Sequence, residues 1–279
     1  MGKYILKRIA LAFVTIWAVA TITFFLMNLV PGGPFLSEKA ISPAATKALE
    51  AKYGLDKPMA ERYFTYISDA AHGDFGDSLK QRGRTVMDII ATKFPVSARL
   101  GGMAVVLALC VGVPLGVLAA YKRGTFIDSL FSVIATCGIA VPGFVICTLL
   151  LYVFGVKLQW LPTLGLKNAQ SYIMPVVALA AYPTSYIMRL MRSSMLDVLG
   201  QDYMRTAKAK GLSQKVSLFK HALRNAILPV ITYVGPMLAY TLTGSFVTEK
   251  IFTIPGLGGE FIKAINGRDY TMIMGTTIF

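Results

Sequence analysis

The sequence predicts an all-α fold, a polytopic membrane helical bundle of about six transmembrane helices, and three observations carry that prediction. Of its 279 residues 55% are hydrophobic, the apolar residues gather in long blocks, and most charges lie between the blocks. A block of about 20 residues matches what a helix rising ~1.5 Å per residue needs to cross a hydrocarbon core of ~30 Å. Mean hydropathy is well above zero. The formal charge of +14 invites a nucleic-acid reading. Cytoplasmic loops of membrane proteins are enriched in Lys and Arg, however, and no basic patch with interleaved aromatics sits on a soluble segment.

The first block runs from about Ile9 to Val30, after Lys3, Lys7 and Arg8. Its apolar centre is too long for a signal peptide, and no small-x-small cleavage site precedes Pro31. An uncleaved helix with a cytoplasmic N-terminus is expected. Further blocks cover Leu100 to Tyr121, Ser129 to Val156, Tyr172 to Leu190 and Ala226 to Thr248. A sixth opens near Thr271, too close to Phe279 for a crossing, so the sequence is expected to end inside that helix with its C-terminal end incomplete. Charge counting supports the orientation. Thirteen basic residues fall on the expected cytoplasmic segments, eight of them between Arg189 and Arg224, against five on the two short outer loops. The segment from Pro31 to Arg99 carries ten, but long loops are exempt from the rule and its eight acids nearly balance them.

Two domains are expected: residues 1–94, the first transmembrane helix with an extracytoplasmic helical segment, and residues 95–279, the core with a cytoplasmic loop at 189–225. Within 31–95, Ser42 and Pro43 suit an N-cap and first helical position, with Gly54 as the stop. A second helix begins near Pro58 and runs to about Ala71; Gly73, Gly76 and Gly83 mark turns. Thr85 and Asp88 resemble a capping box for a helix ending before Pro95. In the 189–225 loop, Leu196, Leu199 and Tyr203 share a helical spacing, Gly211 interrupts, and Val216, Phe219 and Leu223 follow. This is a compact knuckle of two short helices; a basic surface helix on anionic lipid is its plainer reading.

Several chemistries find no residues to carry them. Cys110, Cys137 and Cys147 form no CxxC pair, and His72 and His221 stand apart from other ligands, so no metal site is expected. No GxxxxGK[ST], HExxH or GxSxG motif occurs, and the blocks contain no acid for a general base or proton relay. Neither a catalytic site nor a cofactor is expected. The blocks do hold Pro114, Pro142, Pro183 and Pro236, each able to bend its helix. Thr136, Ser185, Tyr186, Thr232, Tyr233 and Tyr240 are candidates to line a wet path, although helix–helix packing also favours hydroxyl residues.

One set of motifs points to a family. The stretch Asp202-Tyr203-Met204-Arg205-Thr206-Ala207-Lys208-Ala209-Lys210-Gly211, followed by His221-Ala222-Leu223-Arg224-Asn225 and Ala226-Ile227-Leu228-Pro229, resembles the EAA loop of ABC-importer permeases. Arg205 and Thr206 stand where Glu-Ala would be, as in the dipeptide and oligopeptide branch. Arg192-Ser193-Ser194-Met195, Ile251-Phe252, Pro255-Gly256-Leu257-Gly258 and Arg268-Asp269-Tyr270 also fit, as do Lys52-Tyr53-Gly54-Leu55 and His72-Gly73-Asp74-Phe75-Gly76. The connection between the third and fourth blocks is similar to that of the oligopeptide B-type subunit. The resemblance spans the whole chain and implies a type I ABC-importer permease fold. It implies a second permease subunit, two cytoplasmic ATP-binding subunits that hold the ATP, and an extracytoplasmic substrate-binding protein delivering peptide. Dipeptide, glutathione and nickel permeases share most of these motifs. The resemblance makes the loop around Gly211 the ATPase-coupling helix.

Overall fold

The computed structural model describes residues 1–29, 33–35, 43–213, 216–243 and 246–279, without the side chains of residues 43, 45 and 208. Among these residues the regular structure is helical, apart from one isolated bridge between Asp77 and Thr85. Four helical stretches are long and apolar enough to cross a membrane: Gly2–Leu29, Val86–Tyr121, Ala169–Leu199 and Leu228–Ile251, the last running over residues 244–245. A bent pair, Phe126–Ala140 with Gly143–Lys157, makes a fifth if it counts as one span.

The block expected to span over 129–156 thus contains a sharp break. Helix α5 (Phe126–Ala140) meets the run Gly143–Lys157, which opens with α6 (Gly143–Leu150), at 103° across Val141 and Pro142. Proline lacks an N–H and drives the residue before it out of helical geometry, and Val141 is extended, at φ −77° and ψ 123°. Pro95 does the reverse. A helix opening at Thr85 was expected to end before Pro95, with a separate block from Leu100, yet α4 (Val86–Tyr121) passes through both Pro95 and Pro114 as one 36-residue helix. A single proline removes one backbone hydrogen bond, which a long, packed helix tolerates. Thr85 caps α4 as expected, its hydroxyl accepting the Asp88 N–H at 3.1 Å.

The chain forms two compact units, Met1–Lys93 with Gly259–Phe279, and Phe94–Gly258. In the first, α1 (Gly2–Leu29) buries Ala20 and Phe24 against Tyr63 of α3 (Met59–Ala71), and the Thr21 and Tyr63 hydroxyls lie 2.7 Å apart. Helix α2 (Pro43–Lys52) begins at the expected proline and ends before Gly54; Ser42 lies outside the described residues. The 77–81 turn closes on Asp269, 2% exposed, which accepts from the Ser78 hydroxyl and from Leu79 N at 3.1 Å. Asp269 also caps the helix Tyr270–Ile278, accepting Met272 N at 3.2 Å. Two motifs far apart in sequence, 72–76 with its turn and 268–270, thus stand side by side. Buried Glu260 takes a second set of donors, Lys263 at 2.8 Å and Gln81 at 3.0 Å, with Lys93 at 3.6 Å. Burial opposes ionisation of Glu260, but Lys263, Lys93 and Gln81 outweigh it and hold the carboxyl below its ordinary value.

In the second unit α4 and α5 close on α7 (Ile173–Leu199) through glycines. A Cβ at Gly116 would stand 2.7 Å from Met188 O and Met191 Cβ, and one at Gly112 2.9 Å from Thr184 O. Gly138 of α5 meets Ser185 of α7 in the same way. Small residues let helix backbones approach where lipid supplies no hydrophobic drive.

The blocks appeared free of acids only because Asp128 and Glu249 stand one residue beyond their edges. The structure places both acids within helices, Asp128 6% and Glu249 1% exposed, and Glu249 lies inside the stretch Leu228–Ile251. Arg192 grips Asp128 from Nε at 2.6 Å and Nη2 at 2.8 Å, and Gly124 N donates to it at 3.0 Å. Ser97 Oγ donates to Glu249 at 2.7 Å and accepts Leu257 N at 2.8 Å. Hydropathy cannot register an acid whose charge is met by a partner many residues away.

Candidate functional site

Two features of the second unit are candidates for function, a tyrosine-walled cleft and the knuckle that follows α7. Tyr182, Tyr186 and Arg189 recur at helical spacing on one face of α7, and Tyr233 and Tyr240 do so on α10, the helix Leu228–Leu242. The Tyr186 and Tyr233 rings approach to 4.4 Å, and Tyr182 stacks on Tyr186 at 6.3 Å. A cavity of about 570 Å³ is lined by Tyr182, Tyr233, Tyr240, Pro142 and Met237. A neighbouring one of about 620 Å³ is lined by Thr136, Tyr186, Arg189 and Arg192. Ile139 and Tyr182 border both.

The residues lining the first cavity carry no charge. Aromatic faces and phenol hydroxyls give apolar contact and hydrogen bonding without demanding a particular charge on a ligand. Of the path candidates, Thr136, Tyr186, Tyr233 and Tyr240 line these cavities. Ser185 does not; it is buried against Gly138. Thr232 is exposed, its hydroxyl donating to Leu228 O at 3.0 Å. Tyr182 was not singled out from sequence, although it precedes Tyr186 by one helical turn. Pro142 was read as a bend, yet its break in the helix forms part of the wall.

The knuckle is built as a folded hairpin. Gly200 ends α7, and α8 (Asp202–Ala209) buries Met204 and Ala207. Met204 joins Met191, Met195, Ala222 and Ala226 in one core cluster. Gly211 turns the chain at φ +76°, a conformation glycine adopts without steric cost. A π-helical turn, Ser217–Ala222, and α9 (Leu223–Ala226) then return to α10. Asn225 Nδ2 donates to the Tyr203 hydroxyl at 2.9 Å, tying the two arms. Asp202, Arg205, Thr206, Ala209, Lys210 and Arg224 are exposed, and His221 is half-buried. The Lys208 side chain lies outside the described residues. Phe219 is 59% and Tyr203 41% exposed. Sequence spacing had grouped Phe219 with Leu223 as one apolar face, but only Leu223 packs against the core.

Helices long and apolar enough to cross a membrane, packed through glycines, fit a multi-pass membrane protein. The chain belongs to the family of binding-protein-dependent transport system inner membrane components. Residues 112–279 match the model "Binding-protein-dependent transport system inner membrane component", and residues 1–101 match that of the N-terminal part of such components. The dipeptide transport system permease protein DppB of Bacillus subtilis is 46% identical over 279 residues, covering 100% of this chain and 91% of that protein. The oligopeptide transport system permease protein OppB of Salmonella typhimurium is 43% identical over 280 residues, covering 100% and 92%. Among solved structures, an inward-facing MetNI methionine ABC transporter chain superposes with TM-score 0.54 at 16% identity, covering 68% of this chain and 88% of that one. An amino acid ABC transporter chain gives 0.50 at 18% identity, covering 69% and 86%. These two show the fold. The family resemblance read from the motifs is borne out.

Proposed function

We propose that the chain is one of two permease subunits of an ATP-driven, binding-protein-dependent peptide importer, with its N-terminus in the cytoplasm and no catalytic site of its own. The knuckle at 202–224 docks on a cytoplasmic ATP-binding subunit, which binds the ATP. The 31–95 segment with 249–270 faces the substrate-binding protein. Tyr182, Tyr186, Tyr233 and Tyr240 form this chain's half of the path. The supporting observation is the form of the knuckle. Its inner face is held by Met204 and the Tyr203–Asn225 bond, while Phe219, Arg205 and Lys210 are exposed. A rigid element with an unburied aromatic suits transmission of a displacement from a partner to a bistable bundle. Dipeptide and oligopeptide permeases are both among the relatives, so the cargo class is peptide, its length set by the delivering protein.

Substituting Gly211 with Leu strains the turn without altering the spans. The expected result in proteoliposomes holding the full importer is ATP hydrolysis that persists while peptide uptake falls, with normal membrane insertion. Unchanged peptide uptake would overturn the loop assignment.

A further inference from the structure

The first unit contains a cavity of about 260 Å³ that the transport reading does not use. The C-terminal part of α1 contributes Phe24 and Met27 to its wall, α3 contributes Arg62, Tyr66 and Asp69, and Met274 adds a further apolar surface. Two polar groups in this wall are unanswered. Arg62 is half-buried, and its guanidinium makes no hydrogen bond or ion pair to the described residues. The Tyr66 hydroxyl is buried and likewise has no partner among them. Burial lowers the Arg62 pKa, opposed by Tyr270, and pushes the Tyr66 phenol well above its usual range. A cation taken partly out of water favours an anion beside it, and a buried hydroxyl favours an acceptor.

The remaining lining narrows the ligand. Lys57 borders the cavity but is paired with Glu61 at 2.8 Å. Asp69, Asp74 and Asp77 border it too, so acids outnumber bases. A ligand of net negative charge would meet that excess, whereas one carrying its own ammonium would not. The apolar wall belongs to a helix whose long run of apolar side chains is exposed, Leu26 at 59% and Leu29 at 72% among them. In a membrane that surface lies among acyl chains.

We propose that this cavity binds the headgroup of a zwitterionic phospholipid, its phosphate against Arg62 and Tyr66, its ammonium toward Asp69, and its chain along Phe24 and Met27. The ligand chemistry is that of phosphatidylethanolamine. A phosphate accepts from guanidinium in a fork geometry that a lysine does not reproduce. Asp69 follows Arg62 by seven residues, about two helical turns along the same face, which separates the anionic and cationic ends of the site.

The test uses the full chain in detergent, with native mass spectrometry after adding dioleoyl-phosphatidylethanolamine, dioleoyl-phosphatidylglycerol or soluble phosphorylethanolamine. Retention of the ethanolamine lipid is expected to exceed that of the glycerol lipid by about tenfold. R62Q is expected to abolish most of that preference and Y66F to weaken it about threefold. Because Arg62 has no hydrogen-bond or ion-pair partner among the described residues, R62Q is also expected to leave the lipid-free melting temperature unchanged. Equal retention of the two lipids would overturn the proposal, as would an unaltered R62Q. Displacement of the lipid by phosphorylethanolamine at equal concentration would overturn it in favour of a soluble zwitterion. Unfolding of R62Q would show a structural partner for Arg62 and overturn it as well; Y66F then tests the hydroxyl independently.

Discussion

The α4–α5–α7 interior and the knuckle at 202–224 are adjacent in sequence and opposite in construction. In the interior, glycine backbones touch neighbouring helices and the one acid of α5 is gripped by two guanidinium nitrogens and a backbone N–H. In the knuckle, the pair Arg205–Asp202 spans 3.4 Å with side chains 79% and 94% exposed, and a phenylalanine stands in the open. An exposed pair of that kind adds little stability, whereas a buried bidentate pair cannot lose one member cheaply. The interior thus meets its polar and close contacts internally, whereas the knuckle leaves its pair and its phenylalanine on the surface.

Four substitutions probe that contrast. The largest stability loss is expected for Asp128→Ala, which strands Arg192. The cost falls near the lower end of the roughly 3–5 kcal/mol typical of breaking a buried pair, because the Arg192 side chain keeps 31% exposure. Thermal unfolding in detergent measures it, and a loss below that of a surface pair would contradict burial as the source of its strength. Next comes Gly138→Ala. Its Cβ would overlap Ser185 Oγ, so an overpacking cost of about 1–3 kcal/mol is expected. Adding Ser185→Gly should restore most of the melting temperature; no recovery would place the clash elsewhere.

Third is a pH dependence in the first unit. Glu260 has a depressed folded-state pKa, so its contribution is present above the unfolded carboxylate pKa and is lost as pH falls through the folded value. Melting temperature should therefore decline on acidification below about pH 4.5, and Glu260→Gln should flatten that decline. An identical acid profile in the variant would remove Glu260 from the account. The smallest stability effect is expected for Phe219→Ala, within about 0.5 kcal/mol of the parent. Its effect on function should be the reverse, with affinity for the ATP-binding subunit reduced about tenfold or more in a pull-down titration. Unaltered affinity would detach Phe219 from the docking face.

Much of the helix inventory was legible because hydropathy blocks and local signals reflect physics that acts over a few residues. Gly54, Pro58 and the Thr85 cap fell where the helices begin or end. Prolines were the weak point, since Pro95 and Pro114 sit within α4 while Pro142 breaks its helix. Whether a proline bends or breaks depends on the packing around it, which the local sequence does not contain. The cleft was half legible: the tyrosines carried a periodic signal, but Ser185 and Tyr186, neighbours in sequence, face a helix contact and a cavity respectively.

By itself, then, the sequence determined an all-helical membrane protein, its family, and the place of the loop around Gly211, because composition, spacing and a backbone turn are properties of short stretches of chain. Only the tertiary structure decided that Asp128 meets Arg192, that Glu249 is buried on Ser97, and that Asp269 receives the 77–81 turn. Each of those side chains is costly alone and acceptable only with a partner distant in sequence, so its role exists only once the helices have met.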